Sequence, residues 1–231
     1  MKKYNTFLVD ADDTVLDFHG SSLAALKAAF KAFKKEWSEE YGTEFFAFND
    51  MLWQKLERKE LTRERLVAER FPAYLDRLGV DDVPGEEFNE KYLSYLAKHP
   101  LYLPGAEEFL SALRKAGRIY IVTNGSEKIQ KSRFRIAKLE TYAEAVFISE
   151  TIGCDKPGKA YNDYVIAHIP GFDRARTVWI GDSLTADVKA ANEAGIDCIW
   201  FNPHDKSTDG KAFPDYEADC YQEILEILQI D

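Results

Sequence analysis

Cysteine is scarce in this chain, with three in 231 residues, at positions 154, 198 and 220. They are odd in number, widely spaced and form no C-x-x-C pair, which argues against a disulfide framework. Reduced, buried thiols in a cytoplasmic protein are the expectation. Long apolar runs are missing too, since nothing approaches the ~20 consecutive apolar residues of a membrane helix. The N-terminal segment MKKYNTFLVDADDT closes its short apolar stretch with aspartates, so no secretory signal is expected. Basic charge is in deficit: 30 Lys and Arg stand against 40 Asp and Glu, a net charge of −10. An acidic surface repels nucleic acid polymers and anionic membranes. A small anionic substrate stays possible where a metal ion or local cations screen it. Internal repeats and low-complexity segments are also lacking.

The chain does hold 45% hydrophobic and 13% aromatic residues, enough for a core and too many for disorder. Its rhythm changes twice. Residues 4–9, YNTFLV, read as a buried strand opening onto the acidic turn DADDT. From about residue 21 the pattern is helical, with Leu23, Leu26, Phe30, Phe33 and Trp37 at spacings of three and four after a cap at Ser21 or Ser22. Further helices are expected around 50–58, 63–77 (capped by Thr62) and 86–97, and strand-like alternation is absent throughout this block. After Pro104-Gly105, helices at 106–116, 128–138, 159–168, 185–194 and 221–229 alternate with strands at 119–125, 145–149, 177–182 and 197–201. Short apolar strands alternating with helices imply an α/β fold, a Rossmann-like parallel sheet covered by helices on both faces. The first strand belongs with this set. Residues 1–16 and 99–231 are therefore expected to form the α/β core, and 17–98 an inserted all-α cap.

Open parallel sheets bind ligands outside the carboxyl ends of their strands. Strand one delivers Asp10, Asp12, Asp13 and Thr14 there, the next Thr123, Asn124 and Gly125, the segment after 149 Asp155 and Lys156, and TVWIG delivers Asp182, with Asp187 beyond. Carboxylates ~4 Å apart repel by roughly 4 kcal/mol at an effective dielectric of about 20, and a hard divalent cation relieves this. All-oxygen donors suit magnesium, with Asp10 and Asp182 as direct ligands. The Lys156 ammonium, the Thr123 hydroxyl and backbone N–H groups around Asn124-Gly125 suit phosphoryl oxygens. Asp10 is then placed to attack phosphorus, and Asp12 to serve as acid for the leaving alcohol and base for water.

The motifs DADDT (10–14), IVTNG (121–125), Lys156-Pro157 and GDSLTAD (181–187), in this order and spacing, resemble the haloacid dehalogenase superfamily of phosphohydrolases. The helical insertion between the first two resembles the subfamily with a C1 cap. The resemblance implies that Asp10 is a nucleophile forming an aspartyl-phosphate and Asp12 the general acid and base. It implies Mg²⁺ held by the Asp10 carboxylate, the Asp12 backbone carbonyl and Asp182, with Asp187 ordering metal-bound water or Lys156. Dehalogenases of the superfamily lack the second aspartate, so Asp12 points to phosphate esters. FLVDADDTVLDF, LERKELTRERLVAERF (56–71) and GDSLTAD together resemble the YjjG/YfnB group of nucleoside 5′-monophosphatases. A pyrimidine or noncanonical nucleoside monophosphate is the small phosphorylated partner this implies. Sugar-phosphate phosphatase, phosphomutase and a silent phosphate-binding module stay open as alternatives. Intact Asp10, Asp12, Lys156 and Asp182 speak against the last. Lys59 stands where many such caps carry glycine, so the turn there is expected to differ, and Gly158-Lys159 departs from the usual residues after Lys156-Pro157.

Other signals are set aside. GCDKPGKA (153–160) nearly spells a P-loop, but Ala160 replaces the metal-binding hydroxyl and Pro157 removes a backbone donor. Histidines 19, 99, 168 and 204 share no metal-ligand spacing. Phe45, Phe46, Phe48 and Trp53 are expected to form the core of the insertion rather than to stack on a base.

Overall fold

A computed structural model of the chain describes residues 4–208 and 210–230. The chain forms two compact units, Met1–Phe18 with Pro100–Asp231, and His19–His99.

The first unit is built on six parallel strands. They are β1 (Thr6–Asp10), β2 (Arg118–Thr123), β3 (Ala143–Ile148), β4 (Thr177–Gly181), β5 (Asp197–Phe201) and β6 (Tyr216–Ala218), in the spatial order β3-β2-β1-β4-β5-β6. The β-branched and aromatic runs TFLVD and TVWIG are buried at every position, as central strands covered on both faces must be. Alternation decides which face each residue serves. Phe7, Val9, Ile121, Ile180 and Ile199 share one core with Phe109, Leu110 and Leu113 of α5 (Ala106–Ala116) and Ile224 and Leu228 of α10 (Tyr221–Leu228). Leu8, Val122, Trp179 and Trp200 share the other with Tyr161 and Val165 of α8 (Lys159–Ala167) and the alanines of α9 (Lys189–Ala194). From β1 the chain builds outward through β2 and β3, then returns to lay β4, β5 and β6 on the opposite side. The order reverses at β1 and β4, and the carboxyl ends of those strands flank the switch point.

The second unit holds α2 (Glu39–Glu57), α3 (Arg63–Arg77), α4 (Gly85–Leu96) and most of α1 (Phe18–Ala32). Its core is aromatic: Phe71 is fully buried among the rings of Phe45, Phe88, Tyr74 and Tyr92, with centroids 4.9–6.0 Å away. The guanidinium of Arg70 is buried there too, 4.9 Å from the Phe71 ring centroid, and donates to Asn49 Oδ1 at 3.0 Å. Burial holds it below its ordinary pKa. Phe45 and Phe48 belong to this core, whereas Phe46 and Trp53 are half-buried. Thr62 caps α3 as expected, its Oγ1 accepting from the Arg65 N–H at 3.3 Å.

Several elements differ from expectation. Ser21 and Ser22 lie inside α1, fully buried, and do not cap it. The helix starts earlier because the Asp13 carboxylate accepts the Phe18 N–H at 3.0 Å, partnering a first-turn donor from outside. Trp37 lies beyond α1, which ends before Lys34 turns left-handed (φ 56°), and reaches the core from the connection, 5.6 Å from the Phe30 ring. The helix expected around 50–58 starts at Glu39, because burial of Phe45 and Phe48 outweighs an internal glycine. The short α7 (Ser149–Ile152) and β6 were not anticipated, having no apolar periodicity of their own. Lys59 adopts φ 60°, the left-handed conformation that glycine favours, so the substituted residue keeps that backbone shape. All three cysteines are free, but only Cys198 is buried; Cys154 is half-buried and Cys220 exposed. No helix among the described residues is long and apolar enough to cross a membrane.

Phe71→Ala empties the centre of the aromatic cluster, and urea unfolding of the intact chain should show a loss of about 3–5 kcal/mol.

Candidate active site

Three neighbouring strand ends and one loop supply the site. Asp10 is the last residue of β1, Thr123 the last of β2, and Asp182 follows β4 directly. Lys156 arrives from the turn after α7, fully engaged: its Nζ donates to Asp10 Oδ1 at 2.5 Å, Asp187 Oδ1 at 2.7 Å and the Val122 carbonyl at 3.0 Å. Three acceptors use all three ammonium protons. The lysine is 2% exposed and Asp10 6%. Burial alone would depress the ammonium, but the Asp10 and Asp187 carboxylates outweigh it and hold Lys156 above its ordinary pKa. Asn124 sets the lysine's backbone: its amide accepts from the Lys156 N–H at 2.8 Å and donates to the Lys156 carbonyl at 2.9 Å. In the near P-loop, the second lysine, Lys159, is exposed and pairs with Asp163.

Asp187 reaches Lys156 from a wider, π-helical turn at Leu184–Val188 that opens the helix expected at 185–194, before α9. Such turns insert one residue and re-aim side chains. Asp187 also accepts from Trp179 Nε1 at 3.1 Å and from the Ser183 N–H at 3.3 Å. Gly181 makes room for it, since a Cβ there would lie 2.3 Å from Asp187 Cγ.

Carboxylate oxygens of Asp10, Asp182 and Asp187 lie within 4.8 Å of one another. One lysine cannot balance three such charges. Burial, then the Asp13 and Asp187 carboxylates, push Asp182 up to about 7; burial is also the main cause that raises Asp10, with Lys156 opposing it. Lys206 comes no closer to Asp182 than 3.6 Å and is half exposed, so it offsets little of this. A cluster of carboxylate oxygens, short of positive charge and free of thiol or imidazole, fits a hard divalent cation.

Asp12 lies on the turn after β1 with its carboxylate held from α6 (Glu127–Ala137). Gln130 Nε2 donates to Asp12 Oδ2 at 2.7 Å and Arg133 Nη1 to Asp12 Oδ1 at 2.5 Å. Gln130 Nε2 also donates to Thr123 Oγ1 at 3.0 Å, which further accepts the Gly125 N–H at 3.1 Å. Sequence reading did not single out Gln130 or Arg133. In EKIQKSRFRIA four basic residues look alike, and only packing shows that Arg133 is the buried one. The one available signal is the i, i+3 spacing of Gln130 and Arg133, beside Ile129 and Phe134, on the buried face.

Gly181→Ala should therefore displace Asp187 from Lys156. A loss of about 1–3 kcal/mol in stability is expected, with reduced turnover, by thermal unfolding and steady-state kinetics.

The haloacid dehalogenase-like hydrolase family model matches residues 4–195. The chain is 36% identical to the HAD-hydrolase YfnB of Bacillus subtilis over all of this chain and 98% of that protein. It is 35% identical to the pyrimidine 5′-nucleotidase PynA of Streptococcus pneumoniae, covering 97% and 95% of the two chains. With the pyrimidine 5′-nucleotidase YjjG of Escherichia coli the identity is 29%, covering 98% of each. A crystal structure of YfnB bound to magnesium superposes with a TM-score of 0.93 at 35% identity, covering 99% of this chain and 100% of that one. Strand order, acidic switch point and these likenesses agree, and the chain belongs to the haloacid dehalogenase-like hydrolases.

Proposed function

We propose that the protein is a magnesium-dependent phosphomonoesterase that acts through an aspartyl-phosphate, with pyrimidine nucleoside 5′-monophosphates as its substrates. The observation that carries this is the Lys156 ammonium shared by two buried carboxylates, Asp10 and Asp187, beside a third, Asp182. A nucleophilic carboxylate must meet a phosphate dianion, and that needs fixed positive charge at the point of approach. Asp10 and Asp182, with the Asp12 backbone carbonyl, would hold the magnesium ion. When bound, it supplies charge that screens phosphate from carboxylate and polarises a phosphoryl oxygen.

The chain's own residues supply the rest. An Asp10 oxygen attacks phosphorus while the ester bond to the alcohol breaks, and Asp12 gives its proton to the departing oxygen. Asp12 then takes a proton from water as that water attacks phosphorus, and the phosphorus–Asp10 bond breaks to release inorganic phosphate. The Thr123 hydroxyl already accepts two hydrogen bonds, so its own proton is what it offers a phosphoryl oxygen. Lys156 stays charged throughout because Asp187 remains beside it when Asp10 is esterified. Asn124 serves by fixing the Lys156 backbone, and Asp187 by orienting the ammonium. PynA and YjjG, both pyrimidine 5′-nucleotidases that align over nearly the whole chain, support the substrate class.

Release of inorganic phosphate from a panel of nucleoside monophosphates and sugar phosphates, with magnesium and with EDTA, tests the proposal. Pyrimidine nucleotides should be turned over fastest, and only with the metal. A preference for sugar phosphates would overturn the substrate, and equal rates in EDTA would overturn the metal. Asp10→Asn should lower kcat by about three orders of magnitude or more while circular dichroism stays unchanged.

The Asp182 carboxyl, pushed up to about 7 from its ordinary 3.8, gives a further expectation. Between these values the metal-free folded state holds a proton that the unfolded chain has lost, so its stability falls as pH rises through the window. A cation competes with that proton. The rise in Tm on adding magnesium should be larger at about pH 8 than at about pH 5.5; an equal rise at both would refute the assignment of Asp182.

A further inference from the structure

The acid–base carboxylate is built into the core by a pair of residues that the reaction scheme leaves unused. Gln130 and Arg133 are each 1% exposed, whereas the Asp12 side chain is 28% exposed. Arg133 Nη1 donates to both Asp12 Oδ1, at 2.5 Å, and Gln130 Oε1, at 2.8 Å. With its carbonyl oxygen committed to the guanidinium, the Gln130 amide must turn its Nε2 toward Asp12 Oδ2 and Thr123 Oγ1, at 2.7 and 3.0 Å. Both Asp12 oxygens are thus held from one side, and the exposed remainder of the side chain is left for substrate. Room for the glutamine comes from Gly125, where a Cβ would lie 2.4 Å from Gln130 Cγ.

Arg133 Nε and Nη2 are buried without a hydrogen-bond partner among the described residues. Helix packing alone gives no reason to bury a cation so incompletely satisfied, because an apolar residue of the same size would cost less. Its ion-pair partner is Asp12. Resting on the phosphomonoesterase reading above, we propose that Arg133 and Gln130 are positioning residues that fix the Asp12 carboxylate for proton transfer and tie its position to the Thr123 hydroxyl. The same network sets the distance between the group that binds phosphate and the group that protonates the leaving alcohol.

The test compares full-length Gln130→Met, Arg133→Met and Arg133→Lys with the parent, each also in an Asp12→Asn background. Two esters are used: the best alkyl phosphate of the panel, and p-nitrophenyl phosphate, whose phenolate leaves without a proton. On the alkyl ester, the two Met variants should lose about tenfold to a hundredfold in kcat with KM little changed, and Arg133→Lys should recover part of this. The pre-steady-state burst of nitrophenolate should stay within about threefold of the parent, since that step needs no acid. In the Asp12→Asn background none of the three substitutions should add a further loss. Equal losses on both esters, or losses that multiply in that background, would overturn the positioning role. Should Arg133→Met fail to fold, Gln130→Met and Arg133→Lys give the same contrast. If Asp12→Asn alone costs the alkyl ester nothing, the acid–base assignment and this inference fall together. A large Asp12→Asn effect with multiplicative losses would remove the inference alone.

Discussion

A single ammonium group, Lys156 Nζ, joins the parts of the site that the chain keeps furthest apart. It draws Asp10 from the end of β1, Asp187 from the π-helical turn after β4 and the Val122 carbonyl of β2 to within 3.0 Å. Burying a lysine this deeply is costly unless the charge is paired and all its protons are used, and here both conditions hold. Much of the local structure serves that arrangement. Asn124 clamps the lysine's backbone, Gly181 leaves the space that Asp187 fills, and Asp187 itself is carried on the π-helical turn.

The same arrangement leaves negative charge in excess. Asp10, Asp182 and Asp187 crowd one cation; burial first, and the neighbouring carboxylates after it, hold Asp10 and Asp182 above their ordinary pKa values. A site whose charges balanced would hold no proton and attract no metal. This imbalance suits the switch point to a cation, and the raised Asp182 carboxyl contributes stability that falls as pH rises, opposite in sign to an ordinary salt-bridged carboxylate, whose contribution is lost as pH falls.

Asp12 shows a different solution. Among the described residues its carboxylate pairs with no lysine and is instead held by the Arg133 and Gln130 side chains of one helix face, with Gln130 joined to Thr123. Two carboxylates separated by one residue thus sit in distinct electrostatic settings. One faces the ammonium and the other acids; the other faces a guanidinium and an amide. The proposed division between nucleophile and acid–base group rests on these two settings.

By itself the sequence determined the α/β class, the parallel strands and the helical block between strand one and the rest. Period-2 and period-3.6 patterning and short apolar runs are local properties, legible without partners. The residues at the strand ends were legible too, because a parallel sheet always presents those ends on one side; Asp10, Thr123, Asn124, Lys156, Asp182 and Asp187 could be named from their order alone. Tertiary structure alone decided what each of them contacts. That Asn124 spends its side chain on the Lys156 backbone, that Asp187 arrives through a π-helical turn, and that Gln130 and Arg133 hold Asp12 all depend on packing between segments as much as 121 residues apart. Helix α2 began at Glu39 and α1 at Phe18 for the same reason: buried aromatic rings and the Asp13 carboxylate outweigh the weak local preferences that caps and propensities express.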